Sequence, residues 1–381
     1  MKEEEEEVED TEREDCWRVA SRSSMDPEIW SRLPEHLLER VLSFLPLKTF
    51  LALRSTCKHF NSLLYSPSFT HSISSSSSSF ILLAHPQSLR SCPLYNTVGN
   101  SWSTDLPLSF PACSTDLLSS SSSNGLLCFS LLNSSCFLVC NLLRRSLRRV
   151  NFPARPFHFE FLTLISTSDG GYKLFALSAK GSSNNALIYD SNRASWRRFP
   201  GFNPTLSENY HQKGVHYNGR LFFTTPEPFQ VVCFDLESCR WETSAARLPD
   251  ERLTFVRLVS DEDRKLYLIG GVGATGISRI IKVWEMMITE EGGGEGWTEV
   301  ETLPEMVSRK FLSVCYHNYE HVYCFWHVGL ICVCCYTWPE VLYYKVSRRS
   351  WHWLPKPPSL PHKWSCGFRW FSFNPQLSPT P

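Results

Sequence analysis

The chain has 381 residues, a formal net charge of zero and 15 cysteines. This length allows one large domain accompanied by a small one. An odd number of cysteines, without the spacing of a small disulfide scaffold, indicates reduced thiols, so we expect a nuclear or cytoplasmic protein that is not secreted.

Acidic residues are concentrated at the start of the chain. Residues 1–15 hold ten carboxylates and two basic side chains. This composition predicts a solvated, disordered leader over residues 1–25, with an interaction arm as the alternative. The leader has no apolar core of the kind found in a secretory signal.

Three short apolar stripes with helical spacing follow in residues 29–69. The first begins at Leu33-Pro34-Glu35, because Pro suits the first helical turn and Glu suits the positive end of the helix dipole. The stripes are Leu37, Leu38, Val41, Leu42 and Leu45; then Leu47, Phe50 and Leu51; then Cys57, Phe60 and Leu64. Helices this short bury too little surface to be stable alone. We therefore expect either a bundle packed on the rest of the chain or a small all-α module that binds a partner.

This segment resembles an F-box in register, and we place the module at 26–70. Leu33-Pro34-Glu35 matches the opening of the motif, Leu45-Pro46-Leu47-Lys48 matches its second Leu-Pro, and Phe60 stands where Trp is more usual. The resemblance implies binding to the Skp-type adaptor of cullin–RING ubiquitin ligases. The residues that it assigns to the adaptor interface are Leu33, Pro34, Leu37, Leu38, Val41, Leu42, Leu45, Pro46, Leu47 and Leu51.

After a Ser-rich linker at 71–79, the chain repeats one spacing: an apolar residue, six intervening residues, and a bulky apolar residue that is usually Trp. The pairs are Tyr95 and Trp102, Cys140 and Leu147, Tyr189 and Trp196, Phe234 and Trp241, and Tyr344 and Trp351, with a stretched pair of Trp284 and Trp297. A period of 45 to 56 residues is typical of repeat arrays and propellers. Side chains at this spacing meet across a hairpin.

Each unit is predicted to form four antiparallel strands, which is the blade of a β-propeller. Strands are predicted for the third to sixth units at 159–167, 172–179, 185–190 and 195–199; at 213–218, 220–225, 230–236 and 240–244; at 253–260, 265–272, 280–289 and 296–301; and at 310–318, 321–328, 341–347 and 350–354. The first unit offers only 80–85, 92–96 and 101–106. We expect 366–373 to complete it and close the ring, because closure removes exposed sheet edges. The fold class is therefore an all-α module followed by an all-β propeller of six blades over 80–375, with a tail at 376–381.

The aromatic spacing, with Gly270-Gly271 after the strand KLYLI, resembles kelch repeats. An F-box followed by a degenerate kelch propeller resembles the large plant family of F-box/kelch proteins. The resemblance implies a non-catalytic substrate receptor of an SCF-type ubiquitin ligase, which binds a cullin through the adaptor and a target protein through the propeller, without a cofactor. The alternatives are a non-degradative scaffold and a propeller that binds or converts a small molecule.

A zinc site is conceivable at Cys315, His317, His321, Cys324 and His327. Structural zinc ligands usually come in closely spaced pairs. Here the residues lie on two adjacent predicted strands with alternating faces, so they cannot all converge. We expect no metal site.

Two further segments are candidate partner sites. The basic cluster Arg144, Arg145, Arg148, Arg149 and Arg155 could contact nucleic acid, but most of it falls on the predicted outer hairpin of one blade, where a solvated edge is the simpler interpretation. The apolar run 322–338 is slightly short for a membrane span and fits the strand register of the last blade. We expect neither a nucleic-acid nor a membrane partner.

Three loops are candidates for binding a target. They are 224–230, 271–279 and 327–340, and each is predicted to join the second and third strands of its blade, so all three should emerge on one face. They carry Phe229, Arg279 and Trp338, which are residue types that anchor interfaces. The alternative for Trp338 is packing in the core.

Overall fold

A computed structural model describes residues 28, 32–45, 47–66, 69–70, 79–86, 92–103, 108, 111, 115–121, 123–131, 134–154, 157–178, 185–202, 206, 213–261, 264–288, 294–315, 319–358, 366–377 and 379–381. The predicted leader and nearly all of the Ser-rich linker lie outside these residues. The chain divides into two compact units, Met1–Pro46 and Leu47–Pro381, and each is described by itself.

The first unit contains helix α1 (Glu35–Ser43). Pro34 precedes the helix, and its carbonyl accepts hydrogen bonds from the backbone N–H groups of Leu37 and Leu38. Glu35 lies in the first turn and Arg40 in the last, so both charges favour the helix dipole. The predicted helix start at Leu33-Pro34-Glu35 is therefore correct.

In the described part of the second unit, the strands form six antiparallel sheets of four, which are the blades of a β-propeller. The first strand of each blade lines the central cavity. From the centre outwards, blade 1 contains β24 (Arg369–Phe373), β1 (Phe80–Ala84), β2 (Leu94–Asn96) and β3 (Ser101–Ser103), and blade 2 contains β4 (Thr115–Ser120), β5 (Leu127–Leu131), β6 (Cys136–Asn141) and β7 (Ser146–Asn151). Blade 3 contains β8 (Phe159–Ser166), β9 (Tyr172–Ser178), β10 (Asn185–Asp190) and β11 (Ser195–Pro200), and blade 4 contains β12 (Val215–Tyr217), β13 (Arg220–Thr224), β14 (Val231–Asp235) and β15 (Trp241–Thr243). Blade 5 contains β16 (Leu253–Ser260), β17 (Leu266–Ala274), β18 (Ile277–Ile288) and β19 (Glu295–Thr302), and blade 6 contains β20 (Val322–His327), β21 (Leu330–Cys335), β22 (Trp338–Lys345) and β23 (Ser350–Trp353). The prediction of six four-stranded blades is confirmed.

The seven-residue spacing places its two residues directly opposite each other on the outer hairpin. Tyr95 pairs with Trp102, Cys140 with Leu147, Tyr189 with Trp196, Phe234 with Trp241, and Tyr344 with Trp351. The four aromatic pairs have ring centroids 5.0 to 5.4 Å apart. These rings join the apolar clusters at the junctions between neighbouring blades.

The stretched pair does not meet in this way. Trp284 lies opposite Glu299, and Trp297 lies opposite Met286. The hairpin of β18 and β19 is longer than the others, and an irregularity between Val283 and Trp284 shifts its register. The prediction that these two tryptophans form an equivalent pair is therefore wrong.

Three of the tryptophans also tie their blade to the one before it. The indole Nε1 of Trp241 donates to the carbonyl of Pro200 at 2.8 Å, and that of Trp196 donates to the carbonyl of Asn151 at 2.8 Å. Both acceptors stand at the end of the outer strand of the preceding blade. Trp102 makes the equivalent bond to Pro355 at 3.1 Å and so spans the junction between blades 6 and 1. At these three positions the indole supplies a donor that a Phe ring would lack.

The indole bond can be measured with a matched pair of variants. The Nε1 of Trp351 is buried without an acceptor in the described part of the chain, so it is the control for Trp241. We expect Trp241→Phe to lower the free energy of unfolding by about 2 kcal/mol more than Trp351→Phe, because only the first variant loses a hydrogen bond and only the second removes an unsatisfied donor. Urea unfolding checks this, and equal losses would contradict it.

The C-terminal strand closes the ring as predicted. β24 pairs with β1 over five residues, from Phe80 opposite Phe373 to Ala84 opposite Arg369. Across the junction between blades 6 and 1, the hydroxyl of Tyr323 donates to the carbonyl of Phe368 at 3.0 Å. The ring of His327 lies within hydrogen-bond distance of both Ser372 Oγ and Thr97 Oγ1. The junction that holds the two ends of the propeller is therefore both apolar and hydrogen-bonded.

Stability should depend on pH through His327. Burial lowers the pKa of this side chain to about 4, below the value of about 6.5 in an unfolded chain. Between these two pKa values, the unfolded state binds more protons than the folded state. The stabilisation from the neutral ring is therefore fully present above about pH 6.5. The free energy of unfolding falls by about 3 kcal/mol in total as the pH decreases towards 4. Urea unfolding across this range should show a shallower pH dependence for His327→Gln than for wild type. Identical pH profiles would refute the assignment.

The prediction of the first strand of blade 6 is wrong. Residues 310–318 were expected to be its first strand, but helix α4 (Glu305–Cys315) occupies most of this segment. The blade starts at β20, and the predicted loop 327–340 contains β21 and the start of β22. Pro304 and Glu305 begin α4 in the same way that Pro34 and Glu35 begin α1. That start signal, with a helical period in the following apolar residues, was the available evidence for a helix.

The helices after Pro46 pack on blade 2. They are α2 (Leu47–Leu53), α3 (Lys58–Ser62) and a 3₁₀ turn at Leu63–Tyr65, and they bury Phe50, Leu51, Leu63 and Leu64. The guanidinium of Arg54 donates to the carbonyl of Leu143 in the turn between β6 and β7. In the same turn, the guanidinium of Arg144 lies 4.9 Å from the ring centroid of Tyr65. For these helices, the interpretation as a bundle packed on the rest of the chain is correct.

Candidate binding surfaces

One surface lies on α1. Leu37, Val41 and Phe44 are exposed apolar side chains with spacings of four and three residues, so they share a face of the helix. Pro34 is exposed one turn earlier. We call these four residues the α1 stripe. Phe44 is 75% exposed, and a ring left in water at the end of an apolar stripe is typical of an interaction site.

The residues predicted to bind an adaptor fall into three groups. Pro34, Leu37 and Val41 are exposed, whereas Leu33, Leu38 and Leu45 are half-buried. Leu42 and Leu51 are 4% and 2% exposed. These last two side chains therefore present almost no surface to a partner. Pro46 and the side chain of Leu47 lie outside the described part of the chain.

Phe44 was not among the residues predicted to bind the adaptor, although its spacing fits the apolar stripe of α1. It follows Leu37 by seven residues, which is the spacing of one helical face. The distance from the Arg40 guanidinium to the Phe44 ring centroid is 5.9 Å. A cation near the ring completes a mixed apolar and basic edge on this helix.

A second surface lies on one end of the propeller. Strands alternate in direction within a blade, so the connections between second and third strands lie at the same end as the connections between blades. Phe229, Trp338 and Arg279 all lie at or next to such second-to-third connections, and α4 lies in the connection from blade 5 to blade 6. We call this end the target face.

The side chains on this face are not equally free. Arg279 is exposed, while Phe229 and Trp338 are half-buried and pack against the junction clusters. For Trp338, packing on the core is therefore what the structure shows. Met306 on α4 is 76% exposed and Ile277 at the tip of the long β17–β18 hairpin is exposed as well. Met306 was not predicted because α4 itself was missed, whereas Ile277 lies in the predicted loop 271–279 but was not named as a contact residue.

Helix α4 is held by a buried carboxylate. Glu340 on β22 accepts from the ammonium of Lys310 on α4 and forms an ion pair with Lys356 at 3.3 Å. The ammonium of Lys310 also lies 4.0 Å from the ring centroid of Trp353. These contacts fix α4 against blade 6, so the exposed Met306 is presented on a rigid support.

The structure describes most residues of the candidate zinc cluster and of the basic cluster. No group of three or more His, Cys, Asp or Glu side chains that could hold a metal occurs among the described residues, which do not include His317. Arg148 lies over the ring of Tyr189 at 5.9 Å, and Arg144 lies over Tyr65. Arg155 lies outside the described residues. Two of the five arginines thus pack on aromatic rings.

The apolar run 322–338 forms β20, β21 and the start of β22. In the part of the chain that the structure describes, no helix has the length and hydropathy needed to cross a membrane.

Comparisons with known proteins agree with this architecture. The F-box domain model matches residues 30–72, and the model of the F-box associated beta propeller domain matches residues 92–349. An F-box/kelch-repeat protein of Arabidopsis thaliana is 53% identical over 371 residues, which cover 94% of this chain and 90% of that protein. ABERRANT PANICLE ORGANIZATION 1 of Oryza sativa subsp. japonica is 25% identical, covering 94% and 91%. UNUSUAL FLORAL ORGANS of Arabidopsis thaliana is 23% identical, covering 88% and 80%.

Proposed function

Because the chain belongs to the F-box proteins with an F-box-associated β-propeller, we propose that it is the substrate-recognition subunit of an SCF-type ubiquitin ligase. The α1 stripe binds the Skp-type adaptor, the adaptor joins the chain to a cullin, and the target face binds the protein to be ubiquitinated. The chain itself is a non-catalytic subunit. The observation that carries the proposal is the exposed apolar stripe of α1, which lies inside the segment that matches the F-box.

The physical reason is the surplus of apolar surface. Apolar area removed from water contributes about 25 cal/mol per Å², and a few large side chains that become buried often dominate the affinity of an interface. Phe44 therefore serves as the main anchor, with Leu37 and Val41 beside it. Leu33, Leu38 and Leu45 border them, and Leu42 supports the stripe from the buried side of the helix. Thirteen free cysteines in the described part suit a reducing compartment, the nucleus or cytoplasm.

The adaptor surface is tested by charge insertion. Leu37→Glu with Phe44→Glu should abolish co-purification of the Skp-type adaptor, because loss of anchor residues costs about 2 kcal/mol or more each, or about 30-fold in affinity. Leu33→Ala with Pro34→Ala should weaken it too. Val98→Glu is the control, since Val98 is an exposed apolar residue on the propeller. All variants should keep the wild-type melting temperature. Undiminished adaptor binding by the Leu37/Phe44 variant would contradict the proposal.

The target face is tested in the Leu37/Phe44 background, where bound targets escape degradation. Arg279→Ala and Met306→Ala should reduce target capture at an unchanged melting temperature, because both side chains are exposed. Phe229→Ala should reduce capture with a smaller loss of stability. Trp338→Ala should lower the free energy of unfolding by about 3 kcal/mol, because it removes a ring that packs on the core. Targets are measured by affinity purification and mass spectrometry. Capture that is unaffected by the first two variants would exclude this face.

A non-degradative scaffold makes a different prediction for the cullin. A ligase subunit should co-purify with adaptor and cullin together, whereas a scaffold should co-purify with the adaptor alone. The Leu37/Phe44 variant should remove both proteins at once. An adaptor that remains bound without any cullin would favour the scaffold.

A further inference from the structure

Arg54 carries a buried guanidinium whose hydrogen bonds are incomplete. It immediately follows α2, and its side chain is 6% exposed. One terminal nitrogen, Nη1, donates to the carbonyl of Leu143 in the turn between β6 and β7. The other, Nη2, is buried with no hydrogen-bond partner. Because a guanidinium stays charged at any ordinary pH, the structure contains a buried cation with an unused donor.

Both the burial and the surroundings of this cation favour a bound anion. A buried donor without an acceptor has lost its hydration without compensation, and the loss is larger for a charged group. Burial, and then the like charge of Arg145, lower the pKa of Arg54. Both effects disfavour the charged form, and an anion next to Nη2 would oppose both of them.

Arg145 supplies a second guanidinium. It lies in the same turn as Leu143, two residues further along the chain, and it is exposed. Its charge repels that of Arg54. An anion shared by the two guanidiniums would replace this repulsion with two charge-assisted hydrogen-bonding contacts.

The neighbouring parts of the chain contain no carboxylate that could serve as this anion. Residues 47–104, which include Arg54, have no Asp or Glu, and residues 117–159, which include the β6–β7 hairpin, have none either. No carboxylate is among the groups whose charge shifts the pKa of Arg54. Arg144 adds a third positive charge to the turn, 4.9 Å from the ring centroid of Tyr65. An anionic acceptor for Arg54 therefore has to come from outside these two segments.

Access to Nη2 depends on side chains at the surface. Tyr65 and Arg145 are the ionisable side chains that act on Arg54. Tyr65 is 56% exposed, and Arg145 is exposed as well. Exposed side chains change rotamer within nanoseconds, so both can rotate and open a path to the buried nitrogen. The backbone of the turn is held meanwhile, because Asn141 Oδ1 accepts from the N–H of Leu143 at 3.0 Å.

We propose that Arg54 and Arg145 form a binding site for a phosphate group between the end of α2 and the β6–β7 turn. A phosphate monoester carries nearly two negative charges at neutral pH, which matches two guanidiniums, and the fork of a guanidinium suits phosphate oxygens. The phosphate belongs to a phosphorylated side chain of a bound protein or to a small phosphorylated molecule. Both arginines belong to the unit that contains the propeller, so the site does not depend on the α1 stripe or on the adaptor.

The test uses the full chain and isothermal titration calorimetry at constant ionic strength, in a buffer without phosphate. The probes are inorganic phosphate, a pentapeptide with one phosphoserine between glycines, and the same peptide with glutamate instead of phosphoserine. Wild type should bind at least one of the two phosphate probes at a single site. Arg145→Gln should weaken this binding by about tenfold, because it removes a charge-assisted hydrogen bond.

Arg349→Gln is the matched control. Arg349 is exposed and has the same left-handed backbone conformation in the turn before β23 of blade 6, with φ 47° compared with 55° for Arg145. This variant should bind as wild type does. Arg54→Met keeps an unbranched side chain but removes the guanidinium, and it should abolish binding. The melting temperature shows whether this variant folds, and if it does not, Arg145→Gln decides.

The outcomes separate the two sources of the phosphate. Tighter binding of the phosphoserine peptide than of inorganic phosphate indicates a phosphorylated protein, and inorganic phosphate bound at least as tightly indicates a small molecule. Three results would overturn the proposal: no binding of either phosphate probe, equal binding by wild type and Arg145→Gln, or equal binding of the glutamate peptide. Arg54 would then be a structural contact of Leu143.

Discussion

The ring of blades closes because strands from the N-terminal and C-terminal parts of the propeller share one sheet, and a single C-terminal strand of five residues completes that sheet. β24 arrives from the C-terminal end of the chain and completes the blade that the N-terminal strands began. Without it, blade 1 would lack its innermost strand, and β1 would expose an unpaired edge to the cavity. The cavity wall, the junction around His327 and the cluster between blades 1 and 2 all include residues of this strand. Closure is thus the condition on which the cavity and the faces of the ring depend.

The contacts between neighbouring blades explain how so irregular a repeat can still form a ring. Each junction needs an apolar cluster, and many different side chains can fill one. The indole donor is more demanding, since it must reach one carbonyl at the end of the preceding outer strand. Blade 2 does without it, because an exposed Leu147 stands at the Trp position. In blades 5 and 6 the Nε1 groups of Trp297 and Trp351 are buried without an acceptor among the described residues. The repeat therefore tolerates the loss of single bonds as long as the clusters remain continuous.

The sequence was informative where the period was regular and misleading where an insertion interrupted it. The opposed pairs, the strands of blades 3 to 5 and the closing strand follow from local spacing and turn chemistry, and all were predicted. Blade 6 was shifted because a count of four strands per blade favoured a strand before β20, although Pro304-Glu305 and the apolar spacing after it indicated a helix. The role of Leu42 could not be predicted either. A helical stripe shows which residues are apolar, but only tertiary packing decides which of them are covered.

Because α2 and α3 pack on blade 2, the end of the F-box motif does not coincide with the boundary between the two compact units. The F-box match runs from residue 30 to 72, yet the compact unit that contains the propeller begins at Leu47. Phe50, Leu63, Leu64 and Phe69 are buried in that unit, and Arg54 donates to a carbonyl that lies 89 residues further along the chain. A recombination event that exchanged the whole motif between two relatives would therefore break the interior of a folded body. Such exchange should be selected against at the end of the motif, which lies within this folded body.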